Sequence, residues 1–304
     1  MILALRALGL GDLLTGVPAL RALKRAHPAE ELALAAPEPL RVLVKTAGLV
    51  DRFVAVDAAL TQPPRPLPTM NGPIAIAVNL HGTGPESTDA LRRLEPSALW
   101  SYGVPGAPEW NPDEHEIHRW CRLVAHYGCR ADPTDLYLRP RRQPGQAVMV
   151  HPGAATADRR WPASRFAAVA ASLADGGHRV RVSAGPGEQG LAADVVRMAG
   201  RRGVTAIAGL DLAALADAVE ASTVVICGDT GIAHLASALG TPSVVIFGPQ
   251  PPSRWGPPPV PRHQVLWHAE ATRPAPGQPH PSLLRVRVTD VLAAACAALA
   301  AGPR

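Results

Sequence analysis

Residues 224–249 read Val224-Val225-Ile226-Cys227-Gly228-Asp229-Thr230-Gly231-Ile232-Ala233-His234-Leu235-Ala236-Ser237-Ala238-Leu239-Gly240-Thr241-Pro242-Ser243-Val244-Val245-Ile246-Phe247-Gly248-Pro249. Two short β-branched runs bracket a polar turn and an apolar helical stretch, the pattern of buried parallel strands joined by a helix. Asp229 and Thr230 stand where the chain leaves a strand and enters a helix. Gly231 lets backbone approach a ligand closely. The free N–H groups of that first helical turn, reinforced by the helix dipole, form an anion site. His234 lies one turn on, so its imidazole can face the same anion. A phosphate-bearing ligand is expected here. The competing reading makes Asp229 an N-cap and His234 a partly buried helix residue.

The same strand–helix alternation extends outward through the whole chain. Upstream, strands are expected at 147–151, 179–184 and 204–208, separated by helices at 163–175, 191–201 and 212–221. A further strand is expected at 264–267. An Ala-rich helix over 288–301 closes the chain. The N-terminal half repeats the pattern: strands at 1–6, 31–36, 53–56 and 74–78, with helices at 13–26, 38–47, 87–94 and 113–127. The last of these carries Ile117, Trp120, Cys121, Val124 and Tyr127 on one stripe, and Gly128 ends it. Residues 61–73 are a proline-rich loop, 95–112 are expected to be irregular, and 132–145 read as a linker. Two doubly wound α/β domains follow, facing a central cleft into which the strand ends deliver Asp12 and His81 from one side and His151, Gly185 and Asp229 from the other. The expected boundaries are 1–142, 143–287 and a C-terminal helix, 288–304, packing back on the N-terminal domain.

Composition sets the outer limits. The 304 residues suffice for two such domains, and 47% apolar content supports a large core. Aromatics are 4%, so that core is built from Ala, Val and Leu. Thirty Lys+Arg against 25 Asp+Glu give a net charge of +5, compatible with anionic small molecules or a membrane surface but too diffuse for nucleic acid. Only Lys24 and Lys45 are lysines; the other cations are Arg, which suits bidentate phosphate contacts and also follows from a GC-rich genome. Cys121, Cys129, Cys227 and Cys296 form no C-x-x-C pair and no zinc spacing, so they read as reduced thiols of a cytoplasmic protein. The N-terminus reads as a first strand and helix rather than a signal peptide, and no apolar run is long enough to span a membrane.

Individual turns carry chemistry. Gly9-Leu10-Gly11-Asp12 begins like a dinucleotide fingerprint, but Leu14 stands where its third glycine belongs. Asp12, a carboxylate at a helix N-terminus facing the cleft, can serve as a general base or simply as a cap. His151-Pro152-Gly153-Ala154-Ala155-Thr156 is a small-residue turn whose N–H groups could nest a phosphate. Arg159 or Arg160 in the following Asp158-Arg159-Arg160-Trp161-Pro162 could stabilise a departing diphosphate, or be a solvated pair. No Asp-x-Asp occurs, so the carboxylate pair for a metal-bound nucleotide is missing and no metal or other cofactor is expected.

Three of these segments resemble glycosyltransferase family 9, the ADP-heptose:lipopolysaccharide heptosyltransferases. They are residues 8–18 with Gly11-Asp12; His151-Pro152-Gly153-Ala154 with Arg159-Arg160-Trp161-Pro162 and Phe166; and Asp229-Thr230-Gly231 with His234-Leu235-Ala236, Phe247-Gly248-Pro249 and Trp255-Gly256-Pro257. Asn79-Leu80-His81-Gly82 and the helix 115–128 add weaker matches. The resemblance implies a GT-B fold and inverting, metal-free transfer of a sugar, heptose first, from an ADP-linked donor. The donor would sit on the C-terminal domain and the acceptor on the N-terminal one. It implies Asp12 as the base; Thr230, Gly231 and His234 on the diphosphate; and Asp229 ordering that turn. Arg159 falls where the family usually has a lysine on the leaving phosphate. Gly11, His81, Gly153, Ala154, Thr156, Arg160 and Gly185 complete the expected substrate-binding set. The loop 61–73, which in the family carries basic residues for a phosphorylated acceptor, has only Arg65 here, so a glycan, lipid-linked or small-molecule acceptor stays open. The expected protein is a cytoplasmic monomer, with peripheral contact at the inner face of a membrane as a variant. A nucleotide-sugar epimerase of the same architecture and a non-catalytic nucleotide-binding protein are the alternatives.

Overall fold

The computed structural model describes residues 1–57, 67–139, 145–272 and 274–302. It divides into two compact units, Met1–Leu138 and Arg139–Arg304. The division falls within 132–145, of which 140–144 lie outside the described residues.

The first unit is built on five parallel strands: β1 (Ile2–Leu5), β2 (Leu32–Ala36), β3 (Arg52–Ala55), β4 (Ile76–Asn79) and β5 (Ala98–Trp100), in the order β3-β2-β1-β4-β5. Its helices are α1 (Leu10–Thr15), α2 (Val17–Ala26), α3 (Arg41–Thr46), α4 (Glu86–Arg92) and α5 (Glu116–His126). Leu3, Leu5, Ala33, Ala35 and Ala77 from its strands are buried in one cluster. Two expectations are corrected. The single helix over 13–26 is two helices, because the chain breaks at Gly16 and Pro18 restarts it near the α2 N-terminus. Within 95–112, expected to be irregular, three residues pair with β4 as β5. Of the loop 61–73, residues 61–66, Arg65 included, lie outside the described residues.

Position 16 has little room for a side chain. A Cβ there would stand 2.9 Å from Cδ of Arg6, the residue following β1, which is fully buried. Arg6 donates through Nε to the Asp12 carbonyl and through Nη1 to the Leu80 carbonyl. Its Nη2 donates to Thr15 Oγ1 at 3.0 Å and to Glu116 Oε1 at 3.1 Å. Glu116, also buried, accepts from Arg119 and from Trp120 Nε1 (2.7 Å), and the Arg6 guanidinium lies 4.8 Å from the Trp120 ring centroid. Burial alone would raise the Glu116 pKa, but Arg6 and Arg119 together hold its carboxyl below the ordinary value. Replacing Glu116 by Gln therefore leaves two buried guanidiniums without counter-charge. The expected loss is about 3–5 kcal/mol, read as a lower denaturant midpoint, and a double replacement Arg6→Met, Glu116→Met should cost less than the two single changes summed.

The second unit has six parallel strands: β6 (Ala147–His151), β7 (Val180–Ser183), β8 (Val204–Ile207), β9 (Ser222–Gly228), β10 (Ser243–Ile246) and β11 (His263–Leu266), ordered β11-β10-β9-β6-β7-β8. Its helices are α6 (Ala163–Asp175), α7 (Gln189–Ala199), α8 (Leu212–Glu220), α9 (Gly231–Ala238), α10 (Pro252–Trp255), α11 (Pro281–Arg285) and α12 (Val288–Ala301). The final helix joins this unit's own core. Its Val291, Ala294, Ala295 and Ala298 join Val148, Ile226 and Ile246 in one cluster, and it packs on α6 and β9–β11. Trp161 Nε1 (3.2 Å) and Arg165 Nη1 (2.7 Å) both donate to the Val286 carbonyl, fixing the chain just before α12. Each of the four cysteines is a free thiol, and among the described residues no helix is long and apolar enough to cross a membrane.

At the amino end of this sheet, His263 lies opposite Ser243 and its Nδ1 meets Ser243 Oγ at 2.9 Å. Its Nε2 is buried with no partner among the described residues. Burial, helped by the Arg262 charge, pushes the imidazole down to about 4. An unfolded histidine titrates near 6.5, so between those values the unfolded chain binds a proton that the native state refuses. This contribution is absent above about pH 6.5 and costs up to about 3 kcal/mol of stability by pH 4. Urea unfolding of His263→Asn beside the parent, at pH 7, 5 and 4, should show the parent losing more stability on acidification by roughly that amount.

Candidate active site

In each sheet the connections run outward in opposite directions from one pair of neighbouring strands, leaving a crevice at their carboxyl ends. In the first unit the pair is β1 and β4; in the second it is β6 and β9. The sequence places its polar turns after these four strands.

After β1, Gly9 caps α1, Gly11 is its second residue and Asp12 its third. Asp12 Oδ2 accepts the Gly9 N–H at 3.1 Å, so the carboxylate does cap the helix while remaining partly exposed. Arg6 pins its backbone carbonyl from below. After β4, Asn79 is fully buried and its Oδ1 accepts the His81 N–H at 3.0 Å. Its Nδ2 donates to Ser87 (2.9 Å), Thr88 (3.0 Å) and Ser101 (3.0 Å). Nδ1 of His81 is buried without a partner among the described residues. Burial and the Arg6 charge lower the His81 pKa, with Asp12 pulling the other way, so the imidazole is neutral at neutral pH. Arg6 thus grips both turns, through the carbonyls of Asp12 and Leu80.

After β9, Asp229 is buried and accepts Arg159 at its carboxylate, while its carbonyl accepts the same guanidinium at 2.9 Å. Nε of Arg159 is buried with no partner among the described residues. Thr230 caps α9 in an extended conformation, and its hydroxyl makes no capping bond to the helix. In the first turn of α9 the Ala233 N–H donates to the Thr230 carbonyl at 3.0 Å, which leaves the N–H groups of Gly231 and Ile232 at the helix end beside the guanidinium. His234 follows one turn on, with its ring 6.0 Å from that of Trp255.

The turn after β6 is arranged differently from its sequence reading. Glu188, which follows the Gly185-Pro186-Gly187 turn after β7, reaches across it. A Cβ on Gly153 would collide with the Glu188 carboxylate, so that glycine makes room for a side chain of the protein itself. Glu188 Oε2 also accepts the Gly185 N–H at 3.1 Å. Arg160 spends Nε and Nη2 on the Ala154 carbonyl (3.0 and 2.8 Å) and reaches Glu188 Oε1 at 3.5 Å. Thr156 is exposed and starts a short 3-10 turn that carries Arg159. His151, ending β6, is buried with Nδ1 at 3.0 Å from Ser183 Oγ; burial lowers its pKa, opposed by Glu188. Arg159 and Asp229 thus meet, Arg160 and Ala154 meet, His151 lies beside them as its place at a strand end suggested, and Glu188 joins a set that the sequence had left without it. The one signal for Glu188 was its place just past a glycine turn at a strand's carboxyl end. Among the described residues no group of three or more His, Cys, Asp or Glu is placed to hold a metal ion.

Comparison with known proteins gives this geometry its relatives. The chain resembles the glycosyltransferase family 9 protein of Veillonella parvula, at 18% identity, TM-score 0.79, covering 98% of this chain and 97% of that one. It is equally similar to ADP-heptose LPS heptosyltransferase II of E. coli, at 16% identity, TM-score 0.79 and 98% of both chains. E. coli heptosyltransferase WaaC, solved with ADP, follows at 18% identity, TM-score 0.70, covering 95% of this chain and 97% of that one. At such identities the likeness establishes the fold, the GT-B class. No curated protein matches the chain. The model of glycosyltransferase family 9 (heptosyltransferase) matches residues 92–278, more than half of the 304. The chain therefore belongs to glycosyltransferase family 9 and is a glycosyltransferase.

Proposed function

We propose that the protein is a metal-independent, inverting transferase that moves a sugar, heptose first, from an ADP-linked donor to an acceptor hydroxyl. The observation that carries this reading is the anion site after β9: the first turn of α9 beside the Arg159 guanidinium, fixed by Asp229. In this reading Thr230, Gly231 and His234 hold the diphosphate. Arg159 stabilises the charge on the departing phosphate, one such donor being worth about 3–4 kcal/mol of barrier. Arginine in place of a lysine keeps the charge with a planar, forked reach. Gly153, Ala154, Thr156, Arg160 and Gly185 shape the nucleoside side. Glu188 repels phosphate and fits hydroxyl donors instead. Asp12 takes the proton of the acceptor hydroxyl, whose oxygen attacks the anomeric carbon as the bond to phosphate breaks and its electron pair leaves on the diphosphate. His81, a neutral imidazole by burial, orients that hydroxyl. Neutralisation of the leaving group by Arg, His and helix dipole supports a reaction without a metal, as does the lack of an Asp-x-Asp pair. A single charge in the loop 61–73 supports an acceptor without phosphate. The chain acts as a monomer in the cytoplasm, meeting a membrane only peripherally if its acceptor is lipid-linked.

Calorimetry with ADP, GDP, UDP, dTDP and NAD is expected to show ADP preferred, and His234→Ala to weaken ADP about tenfold. Asp12→Asn should lower transfer by about 10³-fold while ADP affinity stays unchanged. Full activity in Asp12→Asn would remove that residue as the base. Turnover of the donor with no acceptor present would identify an epimerase, and failure to bind any nucleotide would sink the transferase reading.

A further inference from the structure

We propose that the first unit carries a saccharide-binding pocket in the loop between β5 and α5, apart from the Asp12–His81 turns. A cavity of about 590 Å³ opens there, lined by Glu109, Trp110, Asn111, Pro112, Glu114 and Arg122. That size falls within the roughly 300–1,000 Å³ of small-ligand sites and is far more than an ion needs.

The walls are preformed. Arg119, on α5, donates to the carbonyls of Asn111 (3.0 Å), Pro112 (3.3 Å) and Glu114 (2.9 Å). Arg122, one turn on, grips the Glu114 carboxylate (2.6 Å) and the Glu109 carbonyl (2.9 Å). The Trp110 ring is fixed from behind: the Arg119 guanidinium lies 4.2 Å from its centroid, and Tyr102 meets it edge-on at 5.1 Å. Trp110 nevertheless remains partly exposed, as one wall of the cavity.

The chemistry on offer is that of a carbohydrate site. An immobilised indole supplies a flat apolar surface for the C–H face of a sugar ring. Around it stand the exposed Glu109 carboxylate, which accepts hydroxyl donors, and the exposed Asn111, whose Oδ1 already accepts the Asp113 N–H at 3.0 Å, leaving its amide donors for the ligand. Two carboxylates against one guanidinium give the wall a net negative charge, which disfavours phosphorylated ligands and selects neutral saccharides. The pocket follows β5, and in a parallel sheet the loops after β1, β4 and β5 leave from the same edge, so it shares that edge with Asp12 and His81. A role in holding the acceptor's glycan rests on the transferase reading; the binding itself does not.

The test is ligand-observed saturation-transfer NMR and calorimetry with the full chain, using a panel of neutral gluco-, galacto- and manno-configured di- and trisaccharides, their phosphorylated counterparts, and ADP. Neutral members are expected to bind with millimolar constants, more tightly than their phosphorylated counterparts. Glu109→Ala, an exposed change that leaves the fold alone, should weaken them about tenfold, the loss of one hydrogen bond to a charged group. Trp110→Ala should abolish binding, and both variants should bind ADP as the parent does. Binding by no neutral saccharide, preference for the phosphorylated ones, or affinity unmoved in Glu109→Ala overturns the pocket. Saccharide binding that disappears in Glu109→Ala while ADP fails to bind at all would keep the pocket and discard the transferase reading.

Discussion

The first unit depends on one buried cation. Arg6 leaves β1 with no access to water, and its donors reach the backbone of two turns, a threonine and a glutamate. A buried guanidinium is tolerated only with a counter-charge and satisfied donors. Glu116 supplies the charge from a helix 110 positions away, and the carbonyls of Asp12 and Leu80 supply acceptors. The turn that carries Asp12 and the one that carries His81 are thereby tied to a single side chain. Their relative placement is set by hydrogen bonds to backbone carbonyls, made without using the Asp12 carboxylate or the His81 imidazole.

The second unit solves a related problem with different parts. Its crevice carries two adjacent arginines, and each needs acceptors. Asp229 answers one of the two adjacent arginines and the Ala154 carbonyl the other, so each guanidinium is oriented before any ligand arrives. Glu188 then occupies the space that Gly153 leaves, giving one side of the crevice an acceptor character and the α9 side a donor character.

Much of this was legible in the sequence. The strand–helix alternation, the paired sheets and the Asp229–His234 turn follow from periodicity and from glycine placement, which are local. What escaped was decided by residues far apart. The apolar stripe of Leu13, Val17, Leu20 and Leu23 runs straight through Gly16 and Pro18, so α1 and α2 read as one helix. β5 has three residues and sits among prolines and glycines; it is a strand because β4 offers it an edge. Arg159 and Arg160 are indistinguishable as neighbours in a chain, yet one turns to Asp229 and the other back to Ala154. The final helix is rich in alanine, so its pattern does not single out a partner, and it packs with Val and Ile of the second sheet.

The contact between Arg6 and Gly16 also bears on how such a chain can change over generations. The tightest contacts a side chain at position 16 would meet are with the long side chain at position 6. A lineage that shortens residue 6 relieves those contacts, and a lineage that first fills position 16 must move the arginine. The two positions are therefore expected to vary together among descendants, a statistical trace in alignments of a hydrogen-bond network that neither position reveals alone.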